Sequence, residues 1–252
     1  MIHPSEPGPL SKSADPALKQ AVKAALSGPR KRVRPVDLPD GRRFWLKRVE
    51  RMGLILRLQK GDPQALFDAE RQGLHVLAEH GMPVVPVALE GPDFLVTPDV
   101  GTPLGQLDKA APEEGARAFA AAGKALALLH WAGLVHARPA IRDICWDGQE
   151  ARFIDLERFR PGRRGGFWQA MDVVIFTQSC FVRWPDDTRL LDAALAAYAA
   201  NAPDGAMARV AKASRGLWAL GALAAAFRLI LPRNKELRAV GLTRARLARA
   251  EA

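Results

Sequence analysis

Hydrophobic and polar positions alternate from residue 32 to 49: Val33, Val36 and Leu38, a polar turn at Pro39-Asp40-Gly41, then Phe44-Trp45-Leu46 and Val49. Alternation puts successive side chains on opposite faces, so the stretch predicts a β-hairpin in which Lys47 shares a face with Trp45 and Val49. Past residue 62 the period lengthens. Leu66, Leu74 and Leu77 recur at helical spacing behind Pro63 and stop at Gly81-Met82-Pro83, which predicts a helix. Two short strands, 84–89 and 94–97, are expected next, around the turn Glu90-Gly91-Pro92-Asp93. After a Gly/Pro link at 98–104, residues 112–131 read as a long amphipathic helix with Phe119, Ala122, Leu126 and Leu129 on one face. A second hairpin is predicted at 144–154, because Asp147-Gly148 separates two apolar runs and glycine tolerates the positive φ of a tight turn. Residues 188–252 read as helices: an alanine-rich stretch ending near Tyr198, a second over 206–231, and a basic tail after Pro232. The first 28 residues are Pro/Ser-rich, with one short helix at 16–26.

These elements place charged groups where they matter. Asp143 precedes the second hairpin and Asp155 closes it, so the two carboxylates lie near each other in space. They repel unless a cation sits between them, and oxygen ligands of this kind suit Mg²⁺. Solvated turn aspartates are the plainer alternative. Glu70 stands four residues from both Leu66 and Leu74, on the apolar stripe of its helix. A carboxylate there needs a partner, and Lys47 is the candidate, unless Glu70 reaches water at the edge of the stripe.

A hydrophobic content of 48% over 252 residues supports a substantial core. The two cysteines, Cys145 and Cys180, sit in apolar contexts and read as reduced core thiols of a cytosolic protein. No secretory signal is visible at the start, and the longest apolar run, 217–227, is too short to span a bilayer. The net charge of +10 is uneven: residues 1–60 hold 14 Lys/Arg against 5 Asp/Glu, 61–206 hold 13 against 20, and 207–252 hold 10 against 2. Basic ends of this kind suit anionic partners, or are ordinary solvated surface. Nucleic acid is not an expected partner, since no recognised binding motif accompanies the charge.

His136, Asp143 and Asp155-Leu156-Glu157 together resemble the protein-kinase-like pattern, in which H-R-D-x-x-x-x-N and a strand pair precede D-F-G. The resemblance implies that Asp143 and Asp155 hold Mg²⁺, and it puts Arg138 where the catalytic-base Asp is expected. It further implies that Lys47, in Phe44-Trp45-Leu46-Lys47, binds the ATP phosphates with Glu70 as its helix partner. Thr97 and Asp99 fall in a hinge whose backbone meets adenine. His136 braces the catalytic loop, and Asp172 anchors it from beneath. Asp172 lies only 17 positions after Asp155, with no A-P-E signal between them, which is similar to bacterial lipopolysaccharide-core (Kdo/heptose) kinases and related small-molecule phosphotransferases. The likeness covers residues 32–180 and lacks a glycine-rich phosphate loop at 32–41.

The implied fold is α+β and two-lobed: an extension at 1–28, an antiparallel-sheet lobe with one helix at 29–98, and a mostly helical lobe at 99–252. The implied activity is ATP-dependent phosphorylation of a hydroxyl on a sugar, glycolipid or other small molecule, with ATP and Mg²⁺ as cofactors. It is expected in the cytoplasm, with peripheral contact to an anionic inner membrane face as a further partner. The alternative is a pseudokinase, which keeps the nucleotide site without phosphoryl transfer, and Arg138 is its main argument.

Overall fold

The computed structural model describes residues 15–50, 62–109, 112–231 and 233–249. The chain is mixed α+β, with eight α-helices and two small antiparallel sheets among the described residues. The first hairpin is β1 (Val33–Asp37) and β2 (Arg43–Arg48), in the register Pro35 opposite Trp45. Pro35 is tolerated because β1 is an edge strand, where a missing N–H breaks no ladder. Two further strands, β3 (Leu89–Gly91) and β4 (Phe94–Pro98), complete the order β1-β2-β4-β3.

One face of this sheet is covered by α1 (Pro16–Ser27). Asp15 caps the helix through the Ala17 N–H, and Leu18 and Val22 bury against Val36, Phe44, Leu46 and Val96. The short helix expected in an N-terminal extension is therefore part of the sheet's own core. The opposite face carries Trp45, Lys47 and Thr97 toward a cleft.

The helix α2 (Pro63–Glu79) starts at a cap in which Asp62 accepts the Gln64 N–H. It runs close to the segment 156–159. A Cβ on Gly73 would lie 2.9 Å from Leu156 Cβ and 3.0 Å from Phe159 Cβ, so only glycine admits this approach.

The strand expected at 84–89 is mostly absent: only Leu89 belongs to one. Pro83 and Pro86 lack N–H groups. Instead residues 83–85 turn to the second sheet, where the Val85 N–H donates to Phe153 O at 3.0 Å and the Phe153 N–H to Pro83 O at 2.8 Å.

That sheet is β5 (Thr102–Pro103), β6 (Ile144–Trp146) and β7 (Ala151–Phe153), with Ile144 opposite Phe153. The β6–β7 turn forms as expected, with Gly148 at φ 100° and Asp147 Oδ1 accepting the Gln149 and Glu150 N–H groups. Gly101, at φ 97°, lets the link before β5 cross β6; a Cβ there would collide with the Trp146 carbonyl.

The helical part begins with α3 (Pro112–Trp131), whose expected face buries Phe119, Ala122, Leu126 and Leu129. Four helices follow it: α4 (Gly166–Arg183), α5 (Arg189–Asn201), α6 (Ala206–Gly216) and α7 (Trp218–Ile230). The single helix expected at 206–231 is thus broken at Leu217. Gly216, about 1 kcal/mol less favourable than alanine inside a helix, marks the break. The basic tail folds as α8 (Lys235–Leu247), which rests on α4 and α7. Among the described residues no helix is long and apolar enough to cross a membrane.

Candidate functional site

A cleft of about 680 Å³ lies where the free face of the four-stranded sheet meets α2 and the loops flanking β6 and β7. Lys47, Thr97 and Asp99 line it from the sheet side, Glu70 from α2, and Arg138, Asp143 and Asp155 from the facing loops. His136 and Asp172 lie beneath, at 0% and 1% exposure.

Lys47 reaches across. Its Nζ lies 2.5 Å from Glu70 Oε2, 3.1 Å from Asp155 Oδ1 and 3.2 Å from Glu157 Oε1. Burial alone would discharge the lysine, but three carboxylates outweigh it and hold the ammonium well above its ordinary range. The same crowding acts on Glu70, where burial and the neighbouring carboxylates exceed the pull of Lys47 and push the carboxyl up to about 7. For Asp155 burial is outweighed by Lys47, then Arg138, so its carboxyl is held below its ordinary value.

Asp143 is 3% exposed, and burial followed by the charge of Asp155 pushes it up to about 7. Its Oδ2 makes no hydrogen bond. Arg138 stands between the two aspartates, with Nη2 3.1 Å from Asp155 Oδ2 and Nε 3.7 Å from Asp143 Oδ2. An orphaned buried oxygen beside a second carboxylate is the kind of donor that a hard, oxygen-seeking cation takes.

The loop that carries Arg138 is pinned from below. Asp172, on α4, accepts the backbone N–H groups of His136 at 2.7 Å and Ala137 at 2.9 Å. The His136 ring turns instead to the cleft floor, where Nε2 donates to the Ile154 carbonyl at 3.1 Å and Nδ1 faces the Arg138 N–H at 3.4 Å. Ala137 (φ 74°) and Asp155 (φ 57°) are the non-glycine residues at positive φ among those described. Such geometry costs of order 1–3 kcal/mol and persists where surroundings enforce it, commonly at functional sites.

Burial first lowers the pKa of His136 below its ordinary 6.5, so the ring is neutral. A base with a lowered folded pKa contributes stability above its unfolded pKa and loses it as pH falls through the folded value. In urea denaturation the wild type is therefore expected to lose more stability than His136→Gln on acidification below pH 6.5. Parallel slopes would show that the ring does not titrate in this way.

Thr97 faces the cleft from β4, and Asp99, just beyond it, accepts the Gly101 N–H at 2.9 Å and so caps its own turn. Both cysteines are free and buried, and burial pushes the Cys145 thiol up to about 12, which makes it a poor nucleophile.

Two site residues, Glu157 and Arg32, escape a reading of the sequence. Arg32 pairs with Glu157, which in turn faces Lys47. The signal that could find Glu157 is spacing: two residues beyond Asp155 in the same segment, it can reach the same cation.

No protein-family model matches the chain. A stretch of 143 residues is 34% identical to an uncharacterized protein of Haemophilus influenzae, covering 56% of this chain. The matched stretch spans 59% of that protein's length.

Proposed function

We propose that this chain is an ATP-dependent phosphotransferase of two-lobed, protein-kinase-like fold, acting on a hydroxyl of a sugar, glycolipid or other small molecule. The observation that carries the reading is Lys47 bound at once to Glu70 on α2 and Asp155 on the opposite wall. Four groups distant in sequence, Lys47, Glu70, Asp143 and Asp155, meet in one cleft large enough for a nucleotide.

In this reading Lys47 holds nucleotide phosphate, Glu70 fixes Lys47, and Asp143 and Asp155 would hold Mg²⁺. The metal would neutralise charge on the phosphates. Valine, leucine and tryptophan side chains (Val33, Trp45, Val85, Leu95, Val100) offer an apolar slot for the base next to Thr97 and the link at 98–101. Arg138 occupies the general-base position. Phosphoryl transfer depends mainly on positioning and charge, and base catalysis is worth about 10² to 10⁴ in rate, so turnover survives its loss at reduced speed.

Thermal melting with and without MgATP, together with release of labelled γ-phosphate, tests the proposal. A raised melting temperature and release above a no-enzyme control are expected; a folded protein giving neither would overturn it. The contact between Arg138 and Asp155 favours one second reading, a nucleotide-binding pseudokinase. Binding without release would select it.

The proposal extends to an anionic membrane face. The outer side of α7 is apolar, with Trp218 66%, Leu223 54%, Phe227 45% and Ile230 74% exposed. Exposed Lys212 and Arg215 precede the helix, and Arg233 and Lys235 follow it. Apolar side chains between flanking cations suit a bilayer interface. Phe227→Asp/Ile230→Asp is expected to lower co-sedimentation with phosphatidylglycerol vesicles about tenfold, and equal sedimentation would remove α7 from the contact.

A further inference from the structure

Arg138 stands between Asp143 and Asp155. Each oxygen of Asp155 already has a cation: Lys47 at Oδ1 and Arg138 at Oδ2, both at 3.1 Å. Asp143 is served less well. Its Oδ1 faces Arg142 Nε at 3.5 Å and its Oδ2 faces Arg138 Nε at 3.7 Å, distances that give attraction without a hydrogen bond. Asp143 Oδ2 and Arg138 Nε are both buried and both lack a hydrogen-bond partner, although they face each other. The guanidinium therefore offsets part of the charge of the two aspartates and leaves one oxygen of Asp143 without a hydrogen bond. Among the described ion pairs it is the one cation shared by Asp143 and Asp155.

A guanidinium cannot leave by losing its proton, because arginine stays charged in proteins. It can leave only by rotation. The backbone of its loop is held at Ala137 by Asp172, while the Arg138 side chain retains 28% exposure toward the cleft. Rotation of the side chain about a fixed backbone is thus the available movement.

We propose that Arg138 is a built-in counter-cation that competes with divalent metal for the Asp143–Asp155 pair. The free protein then binds metal weakly, and the pair accepts a metal only when Arg138 turns out of it. This inference rests on the reading of Asp143 and Asp155 as the metal pair, and it concerns the protein before any nucleotide arrives.

The test is a Mn²⁺ titration of the full chain, followed by electron paramagnetic resonance, with no nucleotide present. Arg138→Gln and Arg138→Met, which remove the charge and keep much of the side chain's bulk, are compared with the wild type. Each is expected to bind Mn²⁺ about tenfold more tightly or better, a gain near 1.4 kcal/mol, and Asp155→Asn in the same background should abolish the gain. Using both replacements keeps the result readable if one of them fails to fold.

Affinity no higher than wild type, or a gain that survives Asp155→Asn, would overturn the proposal. Because nucleotide is absent, the outcome does not depend on whether the protein transfers phosphate. Nucleotide binding with unchanged Mn²⁺ affinity would leave the function standing and remove Arg138 from competition. Tighter Mn²⁺ binding in a protein that ignores nucleotides would do the reverse.

Discussion

Asp155→Ala is expected to abolish both the rise in melting temperature caused by MgATP and any release of γ-phosphate. At a ligand concentration one hundred times Kd, binding stabilises the native state by about 2.7 kcal/mol, a shift that melting reads easily. The variant should show none of it. Loss of fold is not the expected cause, because Lys47 keeps Glu70 and Glu157 as partners when Asp155 is gone. The unliganded melting temperature checks this directly. Full activity in Asp155→Ala would sink the assignment of the cleft as the phosphate site, whatever else the fold does.

Lys47→Met should cost about 3–5 kcal/mol of stability, since it leaves Glu70, 5% exposed, without its cation. Lys47→Met/Glu70→Met should recover much of that loss, because replacing both members of a buried pair by apolar groups is often close to neutral. The penalty has a pH signature. Glu70 is already pushed up to about 7 with Lys47 present, and loss of the lysine moves it further up. A carboxyl with a raised folded pKa contributes stability below its unfolded value and loses it as pH rises through the folded one. Lys47→Met should therefore be less damaging at pH 5 than at pH 8. Urea midpoints at the two pH values measure it, and equal stability of the single and double variants would show that Lys47 and Glu70 are not coupled.

Much of this arrangement was legible in the sequence because it rests on local periodicity. The period-two pattern around Trp45 and the Asp147-Gly148 turn gave both hairpins, and the position of Glu70 on an apolar stripe demanded a cation. What escaped depends on contacts between distant segments. Residues 84–89 have strand-like composition, yet Pro86 has no N–H, the Val84 N–H turns back to the Met82 carbonyl, and the Val85 N–H goes to Phe153 of β7. The break at Leu217 falls just after Gly216, and the packing of α7 on α8 that follows is a contact between segments that the helical period of 206–231 does not show. Asp172 holds its loop through the backbone N–H groups of His136 and Ala137 rather than through the His136 ring, a detail that spacing along the chain does not show. The expectation that something cationic must separate Asp143 and Asp155 was physical, and its occupant in the structure is a side chain, Arg138.

The bridge between residues 83–85 and β7 has a mechanical consequence. It ties the chain leaving α2, which carries Glu70, to the strand that ends two residues before Asp155. Glu70 and Asp155 are thereby linked through the chain, while Lys47, on β2, meets both through ion pairs. On its other side the same helix holds the sheet of Lys47, since Arg71 and His75 face Glu90 of β3, so α2 braces Glu70 between the two walls that Lys47 and Asp155 come from.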